Sequence, residues 1–423
     1  MGKRRLWIGI FLAVFMLLAV PAMEVQAEEA SKAGAELTRG EFAAMLVERG
    51  GMQAENVSPT ELLRQKGIIK GYPGGELYLD RSITRAEAAA MVVRALGLDD
   101  EVLFSLTSKD QKEWANAFVS WLKIYGLIEG EPFGLLTREE GSLLLDRAFK
   151  SDSEALEIYE KYREKSKELN DMSATATANI KVIPRPGVEG EEMLPDNMEM
   201  NMKLQQKIVM PDKIYQKITA EMNIPGTDKI QYTSEMYYVG DKVYQQLPDP
   251  ESGEMKWYRY PDGMYPDLGE IFEQSYYTAI PPELEKYVRY RLAGKAAVDD
   301  EEYYLLASYG SIDDFGKFVD AVISQMDMDQ QMTMLLKYTA GLLDRISIWG
   351  IQRIGVKDFS DNGGEMVFVV TLVPEFEGQS IPIKGIQMKI RMDEVKYNQQ
   401  LTIDLPPEVE NAPVLDFNAV PQQ

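Results

Sequence analysis

One short pattern is written three times and constrains the first third of the chain more than any other feature. The copies are Leu37-Thr38-Arg39-Gly40-Glu41, Ile83-Thr84-Arg85-Ala86-Glu87 and Leu136-Thr137-Arg138-Glu139-Glu140. Each opens a run of helical apolar period, with Met45 and Leu46, Met91 and Val92, Leu144 and Leu145 at matching offsets. Thr-x-x-Glu before such a run is a capping box: the Thr hydroxyl takes the N3 amide and the Glu reaches back to the N-cap amide. Capping does not explain the arginine. A cation in the first turn meets the positive end of the helix dipole, at a cost of about 0.3–1 kcal/mol. Its recurrence at one offset predicts anion binding, with Arg39, Arg85 and Arg138 and the helix-start amides facing a carboxylate.

The repeat extends further back. Leu63-Arg64-Gln65-Lys66-Gly67-Ile68-Ile69-Lys70-Gly71 parallels Leu122-Lys123-Ile124-Tyr125-Gly126-Leu127-Ile128-Glu129-Gly130, each a helix end, a Gly stop and a turn. The unit is therefore helix, Gly turn, loop and capped helix. Trp114 and Trp121 fall on the first helix of the third unit, where core packing accounts for them better than ligand stacking.

The chain has 423 residues, enough for two or three cores. Lys3, Arg4 and Arg5, an apolar run from Leu6 to Val20, Pro21 and Val25-Gln26-Ala27 read as a secretory signal peptide, 1–27. A retained anchor is the other reading, but the run is short and soon meets Glu24. Cleavage would remove three basic residues and one acid, leaving 42 Lys+Arg against 67 Asp+Glu, near −25. That charge disfavours nucleic acid and anionic lipid surfaces. With neither cysteine nor histidine, thiolate sites, disulfides and imidazole bases are excluded. No later stretch is apolar enough to span a bilayer, so attachment to a surface is expected to come from binding.

Ser153 to Leu169 reads as a charged helix with Leu156, Tyr159 and Leu169 as its apolar stripe. From Ser173 the period becomes two. Ala174–Ile183 alternates, and Met198, Met200, Met202 and Leu204 share one face. Ile214, Ile218 and Met222 continue the pattern, Ile230–Val239 and Lys242–Leu247 form a hairpin over Gly240-Asp241, and Met255–Tyr260 adds a strand. Asp267–Arg289 and Ile312–Leu343 read as helices. Ile346–Val356, Glu365–Val373, Ile383–Met392 and Leu401–Leu405 read as closing strands. The expected fold is multi-domain: an all-α part over 28–150, an α+β part over 151–412 with a curved antiparallel sheet over helices, and a tail, 413–423.

Gly71-Tyr72-Pro73-Gly74-Gly75, Leu77-Tyr78-Leu79-Asp80-Arg81-Ser82 and the capped helix Ile83–Leu98 together resemble the S-layer homology (SLH) repeat, with loop, cap and helix in the same order and spacing. The likeness covers about 37–150. It implies a three-fold helical prism whose grooves bind pyruvylated secondary cell-wall polysaccharide on a Gram-positive-type envelope. In that family the Thr-Arg-x-Glu arginine contacts the ketal pyruvate. The role carries over to Arg85, with amides after Thr84, and to Arg39 and Arg138. The groove loop carries over to Gly71 and Tyr72. The first unit lacks its leading helix and loop, and the third has Gly130-Glu131-Pro132-Phe133-Gly134 in the loop's place, so fewer than three working grooves are expected and Arg85 stands first.

More weakly, 150–412 resembles the LolA/LppX-like lipoprotein fold. The likeness rests on Met172-Ser173-Ala174-Thr175-Ala176, the Met-Glu-Met-Asn-Met-Lys strand, Tyr237–Tyr244 leading to Lys256-Trp257, and Leu405-Pro406-Pro407-Glu408-Val409. It implies a concave face holding an acyl chain or hydrophobic peptide, and transfers no individual residue.

Other constellations explain less. Met198, Met200 and Met202 could bind Cu(I), yet one apolar strand face needs the same pattern, and no His or Cys completes a site. Met326, Met328, Met332 and Met334 are expected to pack on a helix. Ser120-Trp121-Leu122-Lys123 and Ser360-Asp361-Asn362 match two serine beta-lactamase signatures, but their separation is too long and no Lys-Thr-Gly follows. Asp299-Asp300-Glu301-Glu302 lacks the spaced, Gly-bent loop that calcium requires. The expectation is a secreted, wall-attached, non-enzymatic surface protein with no cofactor, partnered by anionic glycan and by an apolar ligand in its C-terminal half.

Overall fold

The computed structural model describes residues 36–53, 57–98, 100–106, 114–188, 198–223, 230–249, 252–265, 269, 287–298, 301–313, 315–323 and 330–415. The expected leader, 1–27, lies outside these residues, as do Asp299, Asp300, Met326, Met328 and nearly all of the helix expected over Asp267–Arg289.

The repeated caps start three helices: α1 (Arg39–Arg49), α3 (Arg85–Ala95) and α6 (Arg138–Phe149), each with a complete capping box. Between them lie α2 (Pro59–Gln65), α4 (Asp100–Leu106) and α5 (Trp114–Ile124). The chain leaves α2 and α5 at Gly67 and Gly126, both at φ +66, a backbone that glycine adopts without a Cβ clash. Helix α7 (Ser153–Ser166) follows, capped by Asp152.

The strands are β1 (Asp171–Pro184), β2 (Glu199–Val209), β3 (Lys213–Asn223), β4 (Ile230–Val239), β5 (Lys242–Pro248), β6 (Met255–Arg259), β7 (Val288–Val298) and β8 (Glu301–Ile312). After α8 (Phe315–Ile323) and α9 (Gln330–Leu342) come β9 (Leu343–Gly355), β10 (Asp361–Leu372), the two-residue strands β11 (Glu375–Phe376) and β12 (Gln379–Ser380), and β13 (Ile383–Tyr397). A short α10 (Pro407–Glu410) follows. One eleven-stranded sheet runs β6-β5-β4-β3-β2-β1-β13-β10-β9-β8-β7, and every pairing within it is antiparallel.

Three expectations need correction. Leu401–Leu405 is no strand: Ile403 is buried, but Lys213 Nζ, not a neighbouring strand, donates to its carbonyl at 3.3 Å. Strands β7 and β8 were not anticipated. β8 is buried on both faces, with Ala307 and Tyr309 in one core and Leu306 and Ile312 in others, so its Tyr-Tyr-Leu-Leu-Ala run does not alternate. Met334, expected to pack, is 64 % exposed.

The helical part is not separate from the sheet. One buried cluster joins Leu37, Phe42, Trp121 and Tyr125 to Ala307, Tyr309, Trp349, Val367 and Val369 of β8, β9 and β10. Trp349 lies at the seam, its ring centroid 5.6 Å from Trp121, 4.9 Å from Tyr125 and 5.4 Å from Tyr309. The last carbonyls of a helix have no partner within it, and here the sheet supplies one. Ser347 Oγ donates to Gly97 O (2.6 Å), Arg291 Nε to Gly126 O (2.8 Å), Arg289 Nε to Phe149 O (2.8 Å) and Tyr309 Oη to Arg147 O (2.5 Å). Thus α3, α5 and α6 all end on the sheet. Residue 150 lies between two helices, α6 and α7, and the buried cluster of the repeats runs on into the sheet beyond it.

On the other face, α8 and α9 cover Ile346 and Val370, while Leu156 and Tyr159 of α7 pack on Tyr290, Leu306 and Ile354.

Candidate functional site

The three caps meet. Leu37 N donates to Leu136 O (3.0 Å), Leu136 N to Ile83 O (3.0 Å) and Ile83 N to Leu37 O (2.8 Å), a closed ring whose three side chains are buried. Each cap glutamate uses one oxygen on its own Thr amide, at 2.9 Å in all three boxes. The other oxygen takes an arginine from elsewhere: Arg138 on Glu41, Arg85 on Glu140 and Arg81 on Glu87.

These pairs correct the inference from helix dipoles. The cost of a first-turn cation is offset by another unit's cap carboxylate, so no external anion is needed to explain Arg85 and Arg138. Arg85 is also wrapped by the third loop. Its Nη1 donates to Leu135 O (3.1 Å), its amide donates to Gly134 O (2.9 Å), and a Cβ at Gly130 would stand 2.7 Å from its Nε. With 16 % of its side chain exposed, Arg85 is no longer first among the three; Arg138, at 55 %, is the open one.

Arg39 follows neither pattern. Its Nη2 donates to Lys70 O (2.6 Å) and its Nη1 to Leu77 O (3.1 Å) inside the loop of the second unit, and the residue is 6 % exposed. Burial, with Arg81 and Arg94 nearby, pulls its pKa down to about 10. Tyr72 lies between two guanidiniums, with Arg39 Cζ 4.9 Å and Arg81 Cζ 4.6 Å from the ring centre, and Arg81 also donates to its hydroxyl. Such contacts are worth about 0.5–1 kcal/mol each at exposed sites. Tyr78, exposed and at φ +45, meets the Tyr72 ring edge-on at 5.3 Å. Gly71 is required by close approach, since a Cβ there would fall 2.7 Å from Gly75 O. Of the residues singled out from sequence, Thr84 caps α3, Gly71 shapes a turn and Arg39 is buried. Arg81, half-exposed and touching both Tyr72 and Glu87, was missed although it stands two residues before Ile83 of the repeat.

The ring carries a pH dependence. The Thr38 amide, then its hydroxyl, then Arg138 hold Glu41 below the usual carboxylate range. For Glu140 burial works in the opposite direction but is outweighed by the Thr137 amide and Arg85; for Asp100 and Asp146 it is outweighed by Arg94 with Lys70 and by Arg49 with Lys150. Acids depressed in the folded state stabilise it fully above their unfolded values of about 3.9–4.3 and lose that stabilisation as pH falls. Asp361, raised by burial, works in the opposite sense. The depressed acids outnumber Asp361, so the melting temperature is expected to drop below about pH 4, as calorimetry would record; no drop down to about pH 3 would overturn this account.

The second site is a cavity of about 890 Å³ against the sheet face opposite the repeat helices. Even-numbered residues line it: Ala176, Ala178, Ile180 and Val182 of β1, Met366, Phe368 and Val370 of β10, and Met388, Ile390 and Met392 of β13. The odd-numbered Val367 and Val369 of β10 face the helices instead. Met198, Met200 and Met202 share the cavity wall, as their spacing predicts, and the lining holds eight methionines in all. Thioether side chains are apolar and flexible, which suits a surface that adapts to its contents. The volume falls in the range of about 300–1,000 Å³ typical of small-molecule sites. Tyr162 of α7 and Leu169, three residues past its end, line one end.

Residues 154–414 match the family described as "Family of unknown function (DUF6612)", and residues 61–89 match the S-layer homology domain. The "Middle cell wall protein" of Brevibacillus brevis is 36% identical over 86 residues, 19% of this chain and only 8% of that protein's length. LprF from Mycobacterium bovis and the lipoprotein LppX from Mycobacterium tuberculosis are 11% and 10% identical. Each covers 60% of this chain; 98% and 100% of their own chains are matched, at TM-scores of 0.28 and 0.26. Scores of that size fix neither a ligand nor a role.

Proposed function

The chain belongs to DUF6612, a family of unknown function, and on that premise we propose that it is a secreted, non-enzymatic surface protein of a Gram-positive-type envelope. Its repeats, about 37–150, act as an SLH-like three-fold prism that holds anionic, pyruvylated wall polysaccharide. Its sheet presents an apolar ligand site. The observation that supports the anchor best is Tyr72, flanked by Arg39 and Arg81 in a loop within the SLH-matching segment. In a chain of net charge −23, that is a local concentration of cations beside an exposed aromatic edge. The ketal carboxylate takes Arg81, held over Tyr72, in competition with Glu87, and its sugar packs on the exposed Tyr78. At Arg138, and with more difficulty at Arg85, it competes with Glu41 and Glu140.

A hydrogen bond to a charged group contributes about 1.5–3 kcal/mol, roughly tenfold or more in affinity. Arg81→Ala and Tyr72→Ala in the full mature chain are each expected to cut sedimentation with pyruvylated walls at least tenfold, with depyruvylated walls binding no better than the variants. Equal retention on both walls would end the anchoring proposal.

A second reading is favoured by the cavity itself: the protein carries lipid or hydrophobic peptide, and the repeats only tether it. Mass spectrometry of an organic extract should reveal co-purified acyl chains. A clean extract, with no uptake of a fluorescent fatty acid, would dismiss the carrier.

A further inference from the structure

The cavity has two chemically different ends. Along β1 the Ala176 row pairs with Met392 and the Val182 row with Ile386, while β10 places Gly364 opposite Met392 and Val370 opposite Ile386. Six residues of strand separate the rows, about 20 Å at 3.3 Å per residue. At the Val182 row the lining is Val182, Val370 and Ile386, all apolar. At and beyond the Met392 row polar groups join the lining: Lys165 and Ser166 of α7, Gln352 of β9, Ser360 and, at the start of β10, Asp361, and Asn398, beside the apolar Leu169, Met172 and Phe359.

Asp361 is the best-defined group there. It is buried, and its Oδ1 accepts from Gly363 N (2.7 Å) and its Oδ2 from Gln352 Nε2 (3.1 Å). Each carboxylate oxygen has two lone pairs, so one acceptor position on each remains for a donor arriving from the cavity. The charges at this end are already engaged. Lys165 Nζ pairs with Glu168 (2.6 Å) and lies within electrostatic reach of Asp358, whose Oδ1 accepts from Ser360 N and Oγ, and Arg353, whose Nη2 would meet a Cβ on Gly363 at 3.3 Å, stands against Asp361. An anionic head would meet a buried carboxylate. A cationic head would surrender its hydration where the positive charges present already answer the acids. A neutral donor incurs neither penalty.

We propose that the cavity binds an amphiphile with an uncharged, hydroxyl-bearing head, seated head-first at Asp361 and Gln352 with its apolar tail running along β1 to Val182. This rests on the cavity being a ligand site, and deepens that reading by assigning the ligand a class and a direction. Polar acceptors gathered at one end and unbroken hydrocarbon at the other orient the ligand, because a reversed pose would bury hydroxyls without partners.

The test uses the full mature chain, delipidated, with displacement of a bound fluorescent fatty probe by 1-monopalmitoylglycerol, palmitate or hexadecyltrimethylammonium below their micellar concentrations. Monopalmitoylglycerol is expected to bind at least tenfold more tightly than either ionic competitor. Asp361→Asn, which exchanges an acceptor oxygen for a donor, should bring the glycerol ester and palmitate within about threefold. Val182→Phe should weaken sixteen-carbon monoglyceride far more than the ten-carbon one, whereas Asp361→Asn should not depend on chain length. Palmitate binding as well as the glycerol ester to the unaltered protein would overturn the head assignment, and a Val182→Phe effect equal for both chain lengths would overturn the direction. Should none of the three amphiphiles displace the probe, the ligand-site reading itself falls, a result distinct from either. The head-group comparison on the unaltered protein stands even if Asp361→Asn fails to fold.

Discussion

Trp349→Ala is expected to lower the unfolding free energy of the full chain by about 3–5 kcal/mol, the usual loss when a buried tryptophan is truncated in a core that cannot collapse. Trp349 is fully buried and touches Trp121 and Tyr125 of the repeats and Tyr309 of the sheet. The cavity would therefore open at the seam between the two parts. Urea unfolding followed by both fluorescence and far-ultraviolet circular dichroism measures it. In the unaltered chain the two probes should move together, as one core requires. A loss below about 1 kcal/mol would mean that the seam is not packed as described. The same reasoning bears on dissection: residues 37–150 made alone would expose Trp121 and Tyr125 and leave the ends of α3, α5 and α6 without the donors that Ser347, Arg291 and Arg289 provide. Wall-binding tests therefore belong on the full chain.

The second large effect is expected from Ala178→Arg. Ala178 stands in β1 opposite Met202 on one side and Ile390 on the other, and all three line the cavity. A guanidinium there occupies the tail's path and must be desolvated when an apolar chain arrives, an effective penalty of several kcal/mol. Uptake of a fluorescent fatty probe should fall at least a hundredfold while wall sedimentation is unchanged. Undiminished uptake would place the ligand elsewhere. Arg81→Ala is the converse variant, losing wall retention and keeping uptake.

Local signals were readable from sequence and non-local ones were not. The three capping boxes formed as written, since Thr38, Thr84 and Thr137 need only a glutamate three residues on. Alternation placed Met198, Met200 and Met202 on one face because strand period is a property of consecutive residues. The partners of the cap arginines were illegible. Arg85 meets Glu140 and Arg138 meets Glu41 only after the three units close their backbone ring, and no spacing along the chain encodes that. β8 escaped because burial on both sides erases the period by which strands are found. The shared core did leave a trace in α5, where Ala115, Ala117, Phe118, Val119, Trp121 and Leu122 are buried around more than one side of an eleven-residue helix, whereas Trp114, expected to pack, is 46 % exposed. Such a helix is covered by more than its own repeat, and here the second cover is Trp349.

Strands β9 and β10 have the repeat helices packed behind them and the cavity or its covering helices in front, and they act as a partition between the two. With three helix ends seated on that partition, tension on a captured wall polymer would load the strands themselves and not spend itself in a slack tether. Under the proposed anchoring role, pull on the envelope would therefore reach the strands that line the apolar cavity.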